Sequence, residues 1–125
     1  LCFDYGHARS GYGDTLQAMR SHAFADPLAQ PGLHDITSHV DFADLAQIMR
    51  QAGAIVSPIV TQGQFLLALG LAERAGALGA TRDEAGRAEI ASQAHRLAGT
   101  GPGEMGDLFK VVAAGSAALP LPPFD

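Results

Sequence analysis

The chain has 125 residues, of which 47% are hydrophobic and 17% charged, so it holds enough apolar material for one modest core. One domain, or one piece of a domain, is expected. The formal net charge is −5, and the basic residues, scattered from Arg9 to Lys110, form no cluster. A nucleic-acid partner is therefore not expected.

Cys2 is the single cysteine, which excludes an internal disulfide and a multi-cysteine zinc site. Its place inside an apolar run favours a small buried hydrophobe over catalytic thiol chemistry. No apolar stretch approaches the roughly 20 residues that a membrane span needs, and the first residues lack a signal-peptide pattern. We expect a soluble protein without a membrane span.

Residues 1–5 form a short apolar run closed by Gly6, which predicts a buried strand that ends in a turn. Because the chain opens inside this strand without a methionine, we expect a truncated gene, an excised segment or a fragment. Residues 6–38 show no sustained period, and loops longer than about 15 residues are usually functional or disordered. Their aromatic and histidine residues favour a folded loop, with a short helix at 16–22 as an alternative.

Asp41 is placed as a helix N-cap, and the apolar residues that follow at helical spacing predict a helix over residues 41–52. Residues 54–60 predict a strand that Pro58 interrupts. Further along, Thr81 and Glu84 make a capping-box pair. The elements after Pro58 are predicted helices at 62–69, 71–78 and 81–97, a glycine-rich loop at 99–106, a strand at 108–114 and a proline-rich tail at 120–125.

This order of elements, with no internal repeat, is typical of an α/β sheet protein. Three strands are too few to make a doubly wound sheet with both faces covered, so the pattern indicates the end of one. The glycine-rich segment 99–103 follows a predicted helix, whereas a cofactor loop must follow a strand and open a helix, and segment 11–14 lacks the full glycine spacing of such a loop. We expect both to be ordinary loops.

Polar side chains crowd into the first third of the chain: Asp4, His7, Asp14, His22, His34, Asp35, His39 and Asp41. In open α/β sheets ligands bind beyond the carboxyl ends of strands, so Asp4 and His7 occupy a site-like position. Alternatively, Asp4 caps the turn and His7 hydrogen-bonds within the loop. Asp14 and Thr15 either orient a cationic substrate or form hydrogen bonds to backbone groups of the loop.

A metal site is a further alternative, because imidazole and carboxylate are ordinary ligands for zinc, manganese or iron. A metal-dependent hydrolase that uses the His- and Asp-rich loop would follow. However, no His-x-x-x-His pair lies on a predicted helix, and His34-Asp35 lies in a proline-flanked loop. We therefore predict no metal ligands.

Short segments in one order carry a family resemblance. They are Phe3-Asp4-Tyr5-Gly6-His7, Gly13-Asp14-Thr15-Leu16-Gln17-Ala18, Pro31-Gly32, Asp35-Ile36-Thr37, His39-Val40-Asp41-Phe42, Thr61-Gln62-Gly63, Phe65-Leu66, Leu69-Gly70, Glu73-Arg74, Met105-Gly106 and Leu108-Phe109-Lys110-Val111. Together they resemble the MidA family of class I S-adenosylmethionine-dependent methyltransferases, related to the mitochondrial complex I assembly factor. The resemblance covers nearly the whole chain.

The resemblance implies an α/β fold, the C-terminal part of a Rossmann-like methyltransferase sheet with a long loop insertion and an antiparallel last strand. Residues 1–125 would form the C-terminal portion of the domain, and residues 1–5 its fifth strand. The cofactor-binding half, with its glycine-rich loop, would lie upstream. A bacterial protein would act in the cytoplasm and a eukaryotic one in the mitochondrial matrix.

The implied activity is methyl transfer from S-adenosyl-L-methionine to an arginine of a protein, such as a complex I subunit. A non-enzymatic protein-binding or assembly module is the alternative, and a homo-oligomer is left open. Methyl transfer is an in-line displacement, so the protein mainly aligns donor and acceptor. Carboxylates can hold the guanidinium, and an imidazole can accept the released proton.

The site residues follow from these roles and from position. As catalytic residues we predict Asp4 and His7. As substrate-binding residues we predict Asp14, Thr15, His39, Asp41 and Gln62. The long loop is expected to fold over the strand ends, so that Asp4, His7, Asp14, His39 and Asp41 approach one another around a concave surface.

The chain by itself is predicted not to bind S-adenosyl-L-methionine, because no cofactor loop lies within its residues. Calorimetry with the purified 125-residue chain tests this expectation. Tight binding of the cofactor would contradict it.

Overall fold

The computed structural model describes residues 1–21, 23–117 and 123–124. In chain order the elements are β1 (Cys2–His7), β2 (Gln17–Arg20), β3 (Ala23–Ala25), β4 (Asp35–Thr37), β5 (Val40–Asp41), α1 (Phe42–Gln51), β6 (Ile55–Val56), β7 (Val60–Thr61), α2 (Gln62–Ala68), α3 (Leu71–Gly79), α4 (Glu84–Ala98), β8 (Phe109–Val112) and β9 (Ala114–Gly115). Most of the proline-rich tail lies outside the described residues.

The central sheet has the strand order β5-β1-β8-β7. Strand β1 lies between β5, which is parallel to it, and β8, which is antiparallel and pairs Phe3 with Val111. Val111 and Val112 are almost completely buried, whereas Cys2 is only half-buried. The predicted α/β fold is confirmed, as are a shared sheet for the first and last apolar runs and an antiparallel last strand.

Helix α1 covers one face of β1. It begins where predicted, because the Asp41 carboxylate accepts a hydrogen bond from the Asp44 backbone N–H at 3.0 Å. Phe42 and Ala46 point into the core and are fully buried. Gly6 of β1 lies directly beneath the Phe42 ring, so strand and helix approach more closely than a side chain would permit.

Residues 17–37 form a small antiparallel sheet, β3-β2-β4, which we call the three-stranded lobe. Ala18, buried at its centre, pairs with Ala25 on one side and Ile36 on the other. The expectation of little regular structure was wrong, and so was the alternative of a helix at 16–22. Strands of three or four residues are too short to show a period, and β4 pairs with β2 only after the chain has passed through β3 and a loop.

The segment predicted as a single interrupted strand forms two short strands on either side of Pro58. β6 pairs with β9, while β7 joins the central sheet beside β8. Between them, Ser57 exchanges two hydrogen bonds of 2.9 Å with the backbone of Ala113. The interruption at Pro58 is therefore confirmed, because proline has no N–H to continue a ladder.

The helices lie where the sequence predicts them, but one cap differs. Helix α4 begins after Asp83, whose carboxylate accepts from the Gly86 N–H at 2.9 Å, and not at Thr81. A capping box is present instead at α2, between Thr61 and Gln64. In the part of the chain that the structure describes, no helix has the length and apolar character needed to cross a membrane.

Replacing Gly6 by alanine tests the close approach of β1 and α1. The added methyl group would meet the Val40 carbonyl oxygen and, at 2.7 Å, the Phe42 ring. Overpacking of this kind typically costs about 1–3 kcal/mol. We therefore expect Gly6→Ala to lower the free energy of unfolding, measured by urea titration, by about 1–3 kcal/mol or more.

Gly13→Ala is the matched control, because nothing lies within 4 Å of a methyl group at that position. Its effect should stay within about 0.5 kcal/mol, as for most surface substitutions. Equal stabilities of the two variants would show that β1 and α1 are not in this close contact.

Candidate functional site

A cavity of about 460 Å³ lies beyond the carboxyl end of β1, where the loop leaving that strand folds back towards β5. The residues around it that matter for chemistry are His7, Arg9, Asp14, Thr15, His39 and Asp41. We call it the imidazole cavity. The parallel pairing of β1 with β5 places His7 beside Asp41, and His39 immediately precedes β5.

Two histidine rings meet at this cavity. His39 Nδ1 lies 3.1 Å from His7 Nε2, and the ring centroids are 4.8 Å apart with a tilt of 49°. One ring must donate this hydrogen bond and the other must accept it, and the tautomers of the two rings determine which is the donor. The pair is therefore a hydrogen-bonded unit with nitrogen atoms that can take up or release a proton at the cavity wall.

The loop is fastened to the site by backbone hydrogen bonds. The Thr15 hydroxyl accepts from the His39 N–H at 3.3 Å, which joins the loop to the residue before β5. The Asp14 carboxylate accepts from the Leu16 N–H at 3.0 Å, forming a local turn. Both side chains line the cavity, and both also accept a hydrogen bond from a backbone N–H group.

Asp41 is the carboxylate with a shifted pKa. The hydrogen bonds from the Asp44 backbone N–H and then from the Ser10 hydroxyl lower the pKa of Asp41 below its ordinary value of 3.8, and the neighbouring His7 acts in the same direction. Partial burial opposes these effects without cancelling them. Asp41 is thus an anionic group at the cavity wall near neutral pH.

Asp4 lies outside the imidazole cavity. Side chains alternate along a strand, so Asp4 shares a face with Gly6 while His7 points to the opposite one. Its carboxylate accepts from the adjacent Tyr5 N–H at 2.8 Å, and Lys110 stands opposite it in the ladder. The structure therefore does not bring Asp4 together with the other predicted residues. The turn-capping alternative is also wrong, because β1 continues through Gly6 to His7 and Asp4 lies in mid-strand.

Gln62 also lies elsewhere. It begins α2, only 8% of its surface is exposed, and its side-chain amide donates to the Leu97 carbonyl oxygen at 2.8 Å. A buried amide needs such a partner, and this one joins the start of α2 to the end of α4. Its position indicates a structural role.

Arg9 and Ser10 are the site residues that the sequence reasoning missed. Arg9 lines the cavity, and the Ser10 hydroxyl near Asp41 helps to lower the pKa of that carboxyl. A signal was present, because both follow directly after the end of β1, where ligands of α/β sheets bind. The loop residues that directly follow the strand end therefore belong to the candidate site.

The described residues show neither a cluster of metal-ligand side chains nor the strand, glycine loop and helix of a cofactor loop. Within 1–21, 23–117 and 123–124, no three His, Cys, Asp or Glu side chains are grouped as metal ligands. The glycine-rich segment 99–106 leads from α4 into a strand, and the helices that follow β5 and β7 directly are capped by Asp41 and Thr61. Their N-terminal amides are already partly used by these caps.

Comparison with known proteins gives one consistent result. Residues 1–60 match the model of a family described as "Putative S-adenosyl-L-methionine-dependent methyltransferase". The Danio rerio "Protein arginine methyltransferase NDUFAF7, mitochondrial" is 33% identical over 110 residues, which cover 88% of this chain and 25% of the relative. The Drosophila melanogaster homologue of that protein is 35% identical over 116 residues, covering 90% and 25%.

Two solved structures from Burkholderia thailandensis share the fold. The native crystal structure of one superfamily member has a TM-score of 0.77 and 31% identity, covering 90% of this chain and 31% of that protein. A member bound to S-adenosyl-homocysteine has a TM-score of 0.70 and 31% identity, covering 90% and 30%. The chain spans about a quarter of the length of the curated relatives it matches.

The lowered pKa of Asp41 predicts how stability depends on pH. Asp41→Asn keeps an oxygen for the Asp44 amide and removes the charge. Because the folded pKa lies below the ordinary 3.8, the carboxylate stabilises the fold above that pH and loses this effect as the pH falls through the folded pKa. We expect the stability advantage of the native chain over Asp41→Asn to shrink on acidification, measured by urea unfolding at a series of pH values.

Asp41→Ala is the comparison variant, because it removes the capping oxygen as well as the charge. It should be less stable than Asp41→Asn at every pH. A difference between the native chain and Asp41→Asn that stays the same throughout the acid range would contradict the assignment.

Proposed function

The chain belongs to the MidA-type family of S-adenosyl-L-methionine-dependent methyltransferases, and we propose that it forms the acceptor side of a protein arginine methyltransferase site. The observation that carries the proposal is the imidazole cavity at the carboxyl end of β1, with two histidines and two carboxylates on its wall. The names of the curated relatives support arginine as the acceptor.

S-adenosyl-L-methionine is the proposed methyl donor, and its cradle is proposed to lie outside these 125 residues. The described residues do not fit a cofactor loop, and a relative of about three times the length binds S-adenosyl-homocysteine, the donor without its methyl group. When bound, the cofactor supplies an electrophilic methyl group on sulfur. The residues of this chain bind the acceptor side chain and accept the proton that it releases.

Carboxylates hold the acceptor. A guanidinium is planar and cationic, and it pairs with carboxylate oxygens through charge-assisted hydrogen bonds. Asp14 and Asp41 offer such oxygens at one cavity, and each also has a backbone N–H that keeps it in place. Because the reaction depends on alignment, a carboxylate fixed in this way orients the reacting nitrogen.

The histidine pair takes the proton. Methylation of a guanidinium nitrogen releases one proton, and an imidazole nitrogen without hydrogen is a suitable acceptor near neutral pH. His7 and His39 share a hydrogen bond, so a proton taken up by one ring changes the hydrogen-bonding role of the other. The histidine pair thus accepts the proton that leaves the methylated guanidinium nitrogen.

The proposed acceptor protein and cellular compartment rest on the same family resemblance. We propose a protein acceptor, such as a complex I subunit, with the enzyme in the cytoplasm of a bacterium or in the mitochondrial matrix of a eukaryote. The relatives are named as mitochondrial proteins. A non-enzymatic binding module is the alternative function, and exposed apolar side chains such as Phe24 and Leu28 on the lobe would suit it.

The test uses the longer protein that this proposal implies, with methyl-labelled S-adenosyl-L-methionine and arginine-containing peptides, followed by mass spectrometry. Methylarginine should form. Asp14→Asn should keep the turn with Leu16 yet lower kcat/KM by about five- to tenfold, because hydrogen bonds to ionised groups contribute about 1.5–3 kcal/mol and less where solvent screens them.

Glu89→Gln removes a charge of the same sign from α4, away from the cavity, and should leave kcat/KM unchanged. Unchanged turnover in both Asp14→Asn and Asp41→Asn would remove the two residues from the substrate site and leave them as turn and helix-cap residues. Absence of methylarginine with every peptide, while the peptides still bind, would favour the binding module.

A further inference from the structure

A second cavity, of about 550 Å³, lies between the three-stranded lobe and the end of the central sheet. Its walls include Tyr5, Met19, Phe24, Asp35, His39 and Leu108. We call it the lobe cavity. Gln17 and His39 also line the imidazole cavity, so the two cavities are neighbours that share a wall.

The floor of the lobe cavity is set by strand register. Met19 of β2 stands directly between Phe24 of β3 and Asp35 of β4. Directly opposite residues point to the same face of a sheet, so these three side chains form a row from an aromatic ring to a carboxylate. Ala18 points to the other face and is buried, which fixes the orientation of the row.

Aromatic rings border this cavity on two sides. Tyr5 is 37% exposed and is held by the Phe109 ring, with centroids 4.3 Å apart. Phe24 lies on β3, an edge strand of the three-stranded lobe, and is 76% exposed. Rings that present their faces to solvent attract cations through their quadrupole, especially guanidinium groups.

Asp35 supplies the negative charge. It lies on the outer strand of the lobe, and its carboxylate makes no salt bridge within the part of the chain that the structure describes. An anionic carboxylate in a cavity that two exposed aromatic rings also line, in a chain of net charge −5, complements a cation better than a neutral or an acidic group.

We infer that the lobe cavity binds a second basic side chain of the acceptor protein, close in sequence to the arginine held in the imidazole cavity. The inference rests on the proposed function and adds a substrate requirement to it. An extended segment advances about 3.3 Å per residue, so neighbouring or alternate residues can reach adjacent cavities. Asp35 pairs with the cation, while Tyr5 and Phe24 pack against its stem and face.

The binding test uses the 125-residue chain and two tripeptides, acetyl-Arg-Ala-Arg-amide and acetyl-Arg-Ala-citrulline-amide, which differ by one charge at nearly equal shape. NMR titration should show tighter binding of the first by about fivefold, the factor that corresponds to about 1 kcal/mol for a solvent-screened ion pair. The shifted resonances should include those of residues 17, 19, 24, 35 and 37.

Asp35→Asn should abolish the preference between the two peptides. Asp26→Asn is the matched control, because Asp26 is exposed in the same lobe, does not line the cavity, and its turn with Leu28 can be kept by asparagine. Phe24→Leu should reduce the preference by about twofold through loss of the ring face. A preference that survives Asp35→Asn, or that Asp26→Asn removes equally, would overturn the inference.

Methyl transfer by the longer protein separates this inference from the proposed function. If the tripeptides bind with the expected preference and no methylarginine forms, the proposed function fails while the lobe cavity still binds the cation. If methylarginine forms equally from acceptors with and without the second basic residue, the function stands and the inference fails. A KM that rises about fivefold in Asp35→Asn, with kcat unchanged, supports both.

Discussion

The antiparallel pairing of β1 with β8 is the interaction on which the rest of the structure depends. It joins residues from the two ends of the chain, from Cys2 opposite Val112 to Tyr5 opposite Phe109. Both of its faces are used, because Val111 and Val112 are buried and Tyr5 packs on Phe109. Without this ladder α1 would have no sheet to pack against.

The site follows from the other edge of β1. Its short parallel pairing with β5 brings His7 beside Asp41, although more than thirty residues separate them in sequence. That pairing needs Gly6, since a larger residue would meet the Val40 carbonyl and the Phe42 ring. One close approach between strand and helix therefore sets the geometry of the histidine pair, which is the chemical centre of the proposed acceptor site.

The three-stranded lobe adds a second wall to that site. Its buried Ala18 holds the small sheet on one face, and the opposite face carries the row from Phe24 to Asp35. Because His39 and Gln17 border both cavities, whatever binds under the lobe lies next to the histidine pair. Under the proposed function, the residues between β1 and β5 thus form a surface that can contact the residues around the acceptor arginine.

The sequence alone determined the features that depend on residues close together along the chain. The N-cap of α1 is one of them, because Asp41 bonds to an amide three residues away. The break between α2 and α3 at Gly70, which adopts φ of 88°, is another. The apolar first and last strands and most members of the candidate site were also predictable, since strand ends and loop polar residues are visible as text.

Tertiary structure decided what depends on distant partners. β2 lies at the centre of its sheet because residues 35–37 return to pair with it after β3 and a loop. Asp4 and His7 separate because a strand sends alternate side chains to opposite faces. The partners of Gln62 and His39 lie 35 and 32 residues away. No local pattern encodes such contacts, because only the folded chain brings these residues together.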